Sequence, residues 1–304
     1  MSFEKAFCEN LGRAVTPYEI REMYLDEDSE HYMKKDLSFK CLDKDCRAEL
    51  VPVGVYKQRR SKRAIHFRAK SVKEHTCLAH KGEEVGKSGT KTGDDDPFKM
   101  TRYPSELILT DYKGKSKNKI TIPWTDEEID EDMKNPSTHG DGSTSEWTKF
   151  GSKSFEHIVD CYENGDKEIL NNMDFTLGDK TKKFYKIFKN IKYFYDEKGL
   201  IYYGQVGSVK KYGDNYKIFF KDKAWVEKYM PVSIYISSEL INRYGKRKVF
   251  RDDMEYIINN KDKEVFCYFV GAYPEPSTYE HNGKKVESYQ VNIENLRYLE
   301  LRFE

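Results

Sequence analysis

Apolar and polar positions at the start of the chain alternate in short blocks. PYEIREMYL at residues 17–25 has apolar side chains at helical spacing and predicts a short helix. Residues 49–57 and 64–69 predict two strands, joined by the strongly basic run KQRRSKR at residues 57–63. We therefore expect residues 1–80 to form a small domain with a basic hairpin turn.

Long polar segments dominate the next part of the chain. Residues 80–97 are rich in Gly, Ser, Thr and charge without an apolar period, as is typical of a linker. Residues 106–113 and 118–124 predict a β-hairpin, and the polar residues 135–147 predict an extended arm. We thus expect residues 81–150 to be a linker and an extended arm that carries a hairpin.

Two amphipathic helices are predicted between residues 151 and 199. The first follows Lys153, and its apolar residues recur at helical spacing. The second covers residues 180–194, with Phe184, Ile187, Phe188 and Ile191 on one face. Since Tyr185, Phe188, Tyr193 and Phe194 surround more than one side of this helix, we expect them to form an oligomer or partner interface.

Residues 200–304 predict a β-rich domain. The turn YGDN at residues 212–215 separates two strands, and Ser237 or Ser238 is suited to cap a following helix. The predicted strands cover residues 200–210, 216–221, 232–237, 264–273, 286–293 and 296–303, and the helices residues 237–244 and 251–259. This order is that of an OB-type barrel, although other small barrels and α+β sandwiches share it.

Composition limits the partners and the compartment. The chain has 304 residues with 53 basic and 52 acidic side chains, so nucleic-acid contact requires a local patch rather than a basic protein. Neither a signal peptide nor an apolar run of membrane-spanning length is evident. We therefore predict a cytoplasmic protein without a membrane span, whose 6 cysteines are reduced or bound to metal.

Five residues in the N-terminal part point to zinc: Cys41, Cys46, His66, His75 and Cys77. Two nearby cysteines, a spacer and a close His/Cys pair have the layout of a zinc ribbon, in which four ligands form a tetrahedron. Cys41, Cys46 and Cys77 would act with either His66 or His75, and the other histidine could support the ligands. Alternatively, Cys41 and Cys46 are ordinary buried thiols and the histidines lie on a solvated loop.

This region resembles the N-terminal zinc-ribbon module of competence CoiA-like proteins. The resemblance covers about the first eighty residues and lies at Phe39, Cys41, Cys46, Leu50, His66, Phe67, Arg68, His75 and Cys77. It implies a structural zinc ion and, more broadly, a nucleic-acid accessory role. The family often has HFAH where this chain has HFRA, so a second histidine is absent at that position.

The fold class that follows is a multi-domain α+β protein. Its predicted parts are a zinc-ribbon-like domain (1–80), a linker and arm (81–150), a helical segment (151–199) and a β-rich, barrel-like domain (200–304), for which an OB-like fold is one of the alternatives.

Two groups of side chains suit nucleic acid. The basic turn offers phosphate contacts from Lys57, Arg59, Arg60, Lys62, Arg63 and Arg68, unless these are simply solvated. In the C-terminal domain, aromatic residues alternate with Lys210, Lys211, Lys217 and Lys221, which on an OB face would suit single-stranded nucleic acid. These aromatic residues are Tyr202, Tyr203, Tyr212, Tyr216, Phe219 and Phe220. About half of those aromatic residues must nevertheless fill a core, because strands alternate.

Signatures of catalysis are missing from the sequence, which has neither a phosphate-binding glycine loop nor a nucleophile elbow. We therefore predict a binding protein and not an enzyme. In length, layout and Lys/Asn/Tyr-rich character, the chain resembles phage anti-defence proteins that block the Gabija complex. That resemblance implies an inhibitor that wraps a host defence nuclease complex. The aromatic residues of the predicted interface lead us to expect that the chain is also a homo-oligomer. The alternative is a CoiA-like protein that binds single-stranded nucleic acid.

Overall fold

A computed structural model describes residues 2–60, 63–71, 75, 77, 103–109, 151–281 and 283–304. The helices are Pro17–Leu25 (α1), Phe155–Asn164 (α2), Lys167–Asn172 (α3), Phe184–Ile187 (α4), Ser238–Asn242 (α5) and Arg247–Asn259 (α6), with 3₁₀ helices at Ile191–Asp196 and Leu296–Tyr298. The first ten strands are Ser2–Phe3 (β1), Ala6–Cys8 (β2), Arg13–Val15 (β3), Phe39–Lys40 (β4), Glu49–Val53 (β5), His66–Ala69 (β6), Glu106–Leu107 (β7), Gly151–Ser152 (β8), Asp174–Leu177 (β9) and Lys180–Lys183 (β10). The others are Phe188–Asn190 (β11), Ile201–Tyr212 (β12), Asn215–Val226 (β13), Lys228–Ile236 (β14), Val265–Phe269 (β15), Glu275–His281 (β16), Lys284–Asn292 (β17) and Leu299–Phe303 (β18). The protein is thus of the α+β class.

The N-terminal part is a six-stranded antiparallel sheet with the order β1-β6-β5-β4-β2-β3. Strands β5 and β6 pair in antiparallel register, from Leu50 opposite Ala69 to Val53 opposite His66. This confirms the two strands predicted from the sequence. Apolar side chains of the sheet and of α1 form a core of their own around Phe67.

Helix α1 begins and ends at the predicted residues, because its cap is local in sequence. The Thr16 hydroxyl accepts a hydrogen bond from the Glu19 amide, and the Glu19 carboxylate accepts one from the Thr16 amide. Pro17 occupies the first turn, where a missing amide hydrogen costs nothing.

A small four-stranded sheet with the order β10-β9-β7-β8 follows. Helix α2 lies in the stretch predicted after Lys153, and its Ser154 hydroxyl accepts from the His157 amide as an N-cap. Within the predicted hairpin, residues 106–109 are described, and β7 pairs in parallel with β8 and β9. The rest of that hairpin and the polar segments 80–97 and 135–147 lie outside the described residues.

The predicted helix over residues 180–194 was wrong. Residues Lys180–Lys183 pair with β9, four residues form α4, Phe188–Asn190 pair in parallel with β12, and a 3₁₀ helix follows. The apolar residues that suggested one helical face are all buried in a single core. Several short elements bury these side chains together, so the apolar spacing alone did not determine the secondary structure.

The C-terminal sheet contains the strands in the order β16-β17-β14-β13-β12-β15-β18, with β11 paired to β12. The predicted hairpin at YGDN is confirmed, with Tyr212 opposite Asn215 across the turn. Ser237 caps α5 by accepting from the Leu240 amide, as predicted. Within the described residues β16 and β18 remain the two ends of this path, so an OB-type closure stays a prediction.

One hydrophobic core extends from the small middle sheet to the C-terminal strand. It joins Leu107, α2, the elements between residues 174 and 194, and the C-terminal sheet. Ala64, from the turn after the basic run, also belongs to it. The described part of segment 151–199 thus shares its core with residues 200–304.

A buried cluster of charges connects the N-terminal sheet to this large core. The Asp160 carboxylate on α2 is fully buried and lies 2.6 Å from the Arg60 guanidinium and 2.9 Å from that of Arg302 on β18. The Tyr18 hydroxyl donates to the same carboxylate at 2.7 Å. Glu156, one turn earlier, lies 2.6 Å from Arg60 and 2.9 Å from Arg21. Since a buried carboxylate needs partners, these contacts specify how the two parts pack.

We expect Asp160→Ala to lower the free energy of unfolding by about 3–5 kcal/mol, because it leaves Arg60 and Arg302 buried without their shared partner. Urea unfolding followed by circular dichroism measures this loss. The matched control is Lys70→Ala, which breaks an exposed ion pair with Glu49 and should cost less than about 1 kcal/mol. Equal losses in the two variants would contradict the role assigned to Asp160.

Candidate functional site

Four of the five predicted metal ligands lie together: Cys41, Cys46, His75 and Cys77. Their ligand atoms all lie within 4.8 Å of one another. Cys41 and Cys77 are buried, whereas Cys46 and His75 are partly exposed. These residues could hold a metal ion, and their chemistry is compatible with zinc.

The Cys41–Cys46 loop is shaped by its own backbone and by Asp43. The Asp43 carboxylate accepts from the Asp45 amide at 2.9 Å and from the Cys46 amide at 3.2 Å. The Cys41 amide donates to the Ala48 carbonyl at 2.8 Å, and Arg47 adopts a φ of 43°. The turn therefore brings both thiols to one side of the chain after β4.

The distances within the cluster match those of a tetrahedral site. The Cys41 and Cys77 sulfur atoms are 3.8 Å apart, and the Cys77 sulfur lies 3.4 Å from His75 Nδ1. Sulfur ligands about 2.3 Å from a shared zinc ion would be about 3.8 Å from each other. A disulfide would require about 2.05 Å, and all three cysteines are free thiols.

Burial raises the pKa of the Cys41 thiol to about 12, and burial also raises the pKa of Cys77. Without a cation, both groups would hold their protons at neutral pH. A divalent cation stabilises the thiolate form directly, so binding would release protons. This arrangement suits a structural metal site better than a reactive cysteine, which needs a lowered pKa.

His66 lies outside the cluster, so His75 is the histidine that can act as the fourth ligand. The His66 ring is half-buried on β6, and its Nδ1 lies 3.4 Å from the Ala64 carbonyl. Burial lowers its pKa. His75 instead stacks on Phe3 of the edge strand β1, with ring centroids 4.9 Å apart. That contact fixes the imidazole against the N-terminal sheet.

Two arginines of the basic turn form ion pairs within the protein. Arg60 is 5% exposed and pairs with Glu156 and Asp160, which corrects its assignment as a surface contact. Arg59 lies 4.0 Å from the Tyr256 ring and pairs with Asp253. Lys57, Arg63 and Arg68 are exposed, and Lys62 lies outside the described residues.

Two of the four predicted interface aromatics are also core residues. Phe188 is 7% exposed and Phe194 is 1% exposed, so neither can form an oligomer or partner interface in this fold. Tyr185 is partly buried and packs against Tyr162. Tyr193 is 57% exposed and remains available at the surface.

The outer face of the C-terminal sheet carries a group of lysines around aromatic rings. Lys210 and Lys217 each place Nζ 5.5 Å from the centre of the Phe219 ring, and Lys217 Nζ is 5.2 Å from that of Tyr279. The two rings are 6.4 Å apart. Among the described residues no carboxylate pairs with Lys210 or Lys217, and burial lowers the pKa of Lys217.

The sequence pattern identified this face only in part. It pointed to Phe219 and the lysines beside it, but Tyr202, Tyr216 and Phe220 fill the core. The sequence analysis missed Tyr279, which β16 brings across from another part of the sheet. Alternation along β16 would have indicated an outward tyrosine, but not its neighbour.

Comparison with known proteins gave no match to a family model, a curated protein or a solved structure. Among the residues that the structure describes, no helix is long and apolar enough to cross a membrane.

A cavity of about 60 Å³ lies beside the buried charge cluster. Its charged lining residues are Arg21, Arg60, Lys246, Glu156, Asp253 and Glu300. The cavity is thus lined by three basic and three acidic residues. Burial raises the pKa of Asp253 to about 7, although the Arg59 guanidinium opposes this shift.

We expect the stability of the wild-type chain relative to Asp253→Asn to fall as the pH rises from 5.5 to 7.5. The unfolded carboxyl has a pKa of about 3.9. A carboxyl with a raised pKa binds its proton more tightly in the folded state, so its favourable contribution is present at low pH and is lost as the pH rises through about 7. Urea midpoints at each pH measure the difference. Asp252→Asn, an exposed neighbour, is the control, and a difference that does not change with pH would contradict the shift.

Proposed function

We propose that Cys41, Cys46, His75 and Cys77 hold one structural zinc ion. The observation that supports this is that their four ligand atoms lie within 4.8 Å of one another, with the Cys41 and Cys77 sulfur atoms 3.8 Å apart as around a tetrahedral zinc ion. Three thiolates and one imidazole fill the coordination shell and leave no open position for a substrate. The metal would therefore stabilise the fold rather than catalyse a reaction. The cluster around it contains few apolar side chains, so metal binding would close a core too small to form by burial alone.

We expect protein purified without chelator to contain one zinc ion per chain. Cys41→Ser and His75→Ala should lose it, whereas His66→Gln should retain it because His66 lies outside the cluster. Elemental analysis measures the content. Cobalt substitution should give the absorption of a tetrahedral thiolate site, which a misfolded variant would not imitate. A wild-type chain without zinc, or loss of zinc in His66→Gln alone, would refute the ligand set.

We further propose that the protein binds single-stranded nucleic acid, and that it is a binding protein and not an enzyme. The observation that supports this is the partly exposed Phe219 on the outer sheet face, with two lysine ammonium groups 5.5 Å from the centre of its ring. Bases stack on exposed aromatic rings regardless of sequence, while lysines contact the backbone. Tyr279 offers a second ring beside the first.

The charge on this face is suited to a polyanion even though the whole chain is nearly neutral. The net charge of +1 argues against a globally basic binder, so attraction has to be local. Lys217 is partly desolvated and its Nζ approaches the neutral Gln290 amide at 3.4 Å. A phosphate placed there would offset that desolvation, because it supplies the anionic partner that the described residues do not.

We expect Phe219→Ala to weaken binding of a twelve-nucleotide strand by roughly 5- to 150-fold, since one stacked base is worth about 1–3 kcal/mol. Lys217→Ala should lower the slope of log affinity against log salt by about 0.7, because one phosphate contact is lost. Fluorescence anisotropy measures both. The matched controls are Tyr193→Ala and Lys70→Ala, which remove an exposed tyrosine and an exposed lysine from other surfaces. Equal losses in the controls would remove the support for this face.

The second candidate function is inhibition of a host defence nuclease complex by an oligomer of this chain. Near-zero net charge and the exposed Tyr193 favour it, because protein interfaces use aromatic anchors without strong charge. This candidate predicts no measurable affinity for oligonucleotides at low salt. It also predicts a multimer by light scattering that co-migrates with a Gabija-type complex and loses this property in Tyr193→Ala.

A further inference from the structure

Two large aromatic side chains are exposed at the far end of the C-terminal sheet. Trp225 is the last residue but one of β13 and Tyr229 the second residue of β14, and the two lie opposite each other across the turn at Glu227. They are 53% and 68% exposed, and their ring centroids are 4.8 Å apart at an angle of 62°. Because each ring supports the other, the pair forms a preorganised apolar surface on a hairpin tip.

This tip lies on the same sheet face as Phe219. Trp225 is opposite Tyr229, Lys223 opposite Pro231, Phe219 opposite Ser233 and Lys217 opposite Tyr235. The four residues on β14 are spaced by two along a continuous strand, so their side chains share one face. Opposed residues of an antiparallel pair point to the same side. Between Phe219 and Lys223 the register shifts by two residues, so the alternation of faces along β13 is kept on both sides of the irregularity.

The charges along this face favour a polyanion over a protein or a second copy of the chain. Lys210 and Lys217 flank Phe219, and Lys223 follows between that ring and the tip. Lys223 is exposed, whereas the tip lysine, Lys228, is paired with Glu287. A row of lysines on one face repels an identical row, so self-association would bring like charges together.

We propose that Trp225 and Tyr229 form a second stacking platform for the same nucleic-acid strand, which runs along β13 from Lys217 past Phe219 to the tip. This inference rests on the proposed single-strand binding. The seven residues of β14 from Tyr235, opposite Lys217, to Tyr229 make six steps and cover about 20 Å at roughly 3.3 Å per residue. That length accommodates about six nucleotides at the 3.4 Å spacing of stacked bases. Shorter strands can occupy one platform at a time.

The test combines strand length with variants of each platform. Labelled oligo-dT and oligo-U strands of four, six, eight and twelve nucleotides are titrated against the wild-type chain, Trp225→Ala, Tyr229→Ala and Phe219→Ala, with Tyr193→Ala as the control. Wild-type affinity should rise at least tenfold from four to eight nucleotides and then level off. In Trp225→Ala that gain should disappear, while affinity for the four-nucleotide strand changes less than threefold. The two sugar types distinguish DNA from RNA.

A second measurement reports on the tip directly. Trp225 becomes the sole tryptophan in the Trp124→Phe/Trp147→Phe variant, because the chain has 3 tryptophans. Its fluorescence should be quenched by eight-nucleotide strands, because a base stacked on the indole ring quenches its excited state. This readout does not depend on whether Trp225→Ala folds normally.

The outcomes separate the two proposals. If the wild-type chain binds none of the strands at low salt, single-strand binding itself fails. If Phe219→Ala weakens binding but Trp225→Ala keeps the full length dependence and Trp225 fluorescence is unchanged, the second platform is refuted and single-strand binding stands. If Trp225→Ala instead changes the mass of the free protein in light scattering, the tip is a contact between copies and the inference is overturned.

Discussion

The packing of this protein depends on one buried carboxylate, that of Asp160. It accepts from Arg60 and Tyr18 in the N-terminal part and from Arg302 on the last strand, so three distant segments meet at one group. Desolvating such charges is costly, and ion pairs repay that cost only when each partner is in place. The cluster therefore makes the packing specific, because alternative packings of the N-terminal part on the large core would leave arginines buried without a counterion.

These buried ion pairs also determine which basic residues remain available to a partner. The Arg60 carbonyl also accepts from the Phe303 amide at 2.9 Å, so the turn is anchored by its backbone as well as by its guanidinium. Arg59 is held against Tyr256 and Asp253. Within the basic run, Arg59 and Arg60 thus serve internal packing, whereas Lys57 and Arg63 are exposed. A further group of lysines lies around Phe219 on the outer face of the C-terminal sheet, where no carboxylate among the described residues pairs with Lys210 or Lys217.

Sequence reasoning succeeded where the determinant is local. The capping box of Thr16 and Glu19, the turn between Tyr212 and Asn215, and the Cys41–Cys46 spacing each involve neighbouring residues. It failed where burial was decided by distant partners, as for Arg60 and for the helix predicted over residues 180–194. The carboxylates Glu156, Asp160 and Glu163 lie one turn apart on α2. That helical spacing in the sequence indicated that the three carboxylates share one face of the helix. Their arginine partners come from the far N-terminal and C-terminal segments, which periodicity cannot reveal.

The two proposed sites differ in the size of the hydrophobic core that supports them. Around Cys41 and Cys77 the apolar cluster is very small, so thiols and an imidazole arranged for a metal replace the hydrophobic contacts that a larger core would supply. The C-terminal sheet has the reverse situation, because Ile218, Phe220 and Ile234 on its inner face pack into the large core. Its outer face does not line that core, so Phe219 stays partly exposed there and Trp225 is 53% exposed. A rigid sheet with a satisfied inner face holds such rings in fixed positions, and this favours stacking partners over a flexible interface.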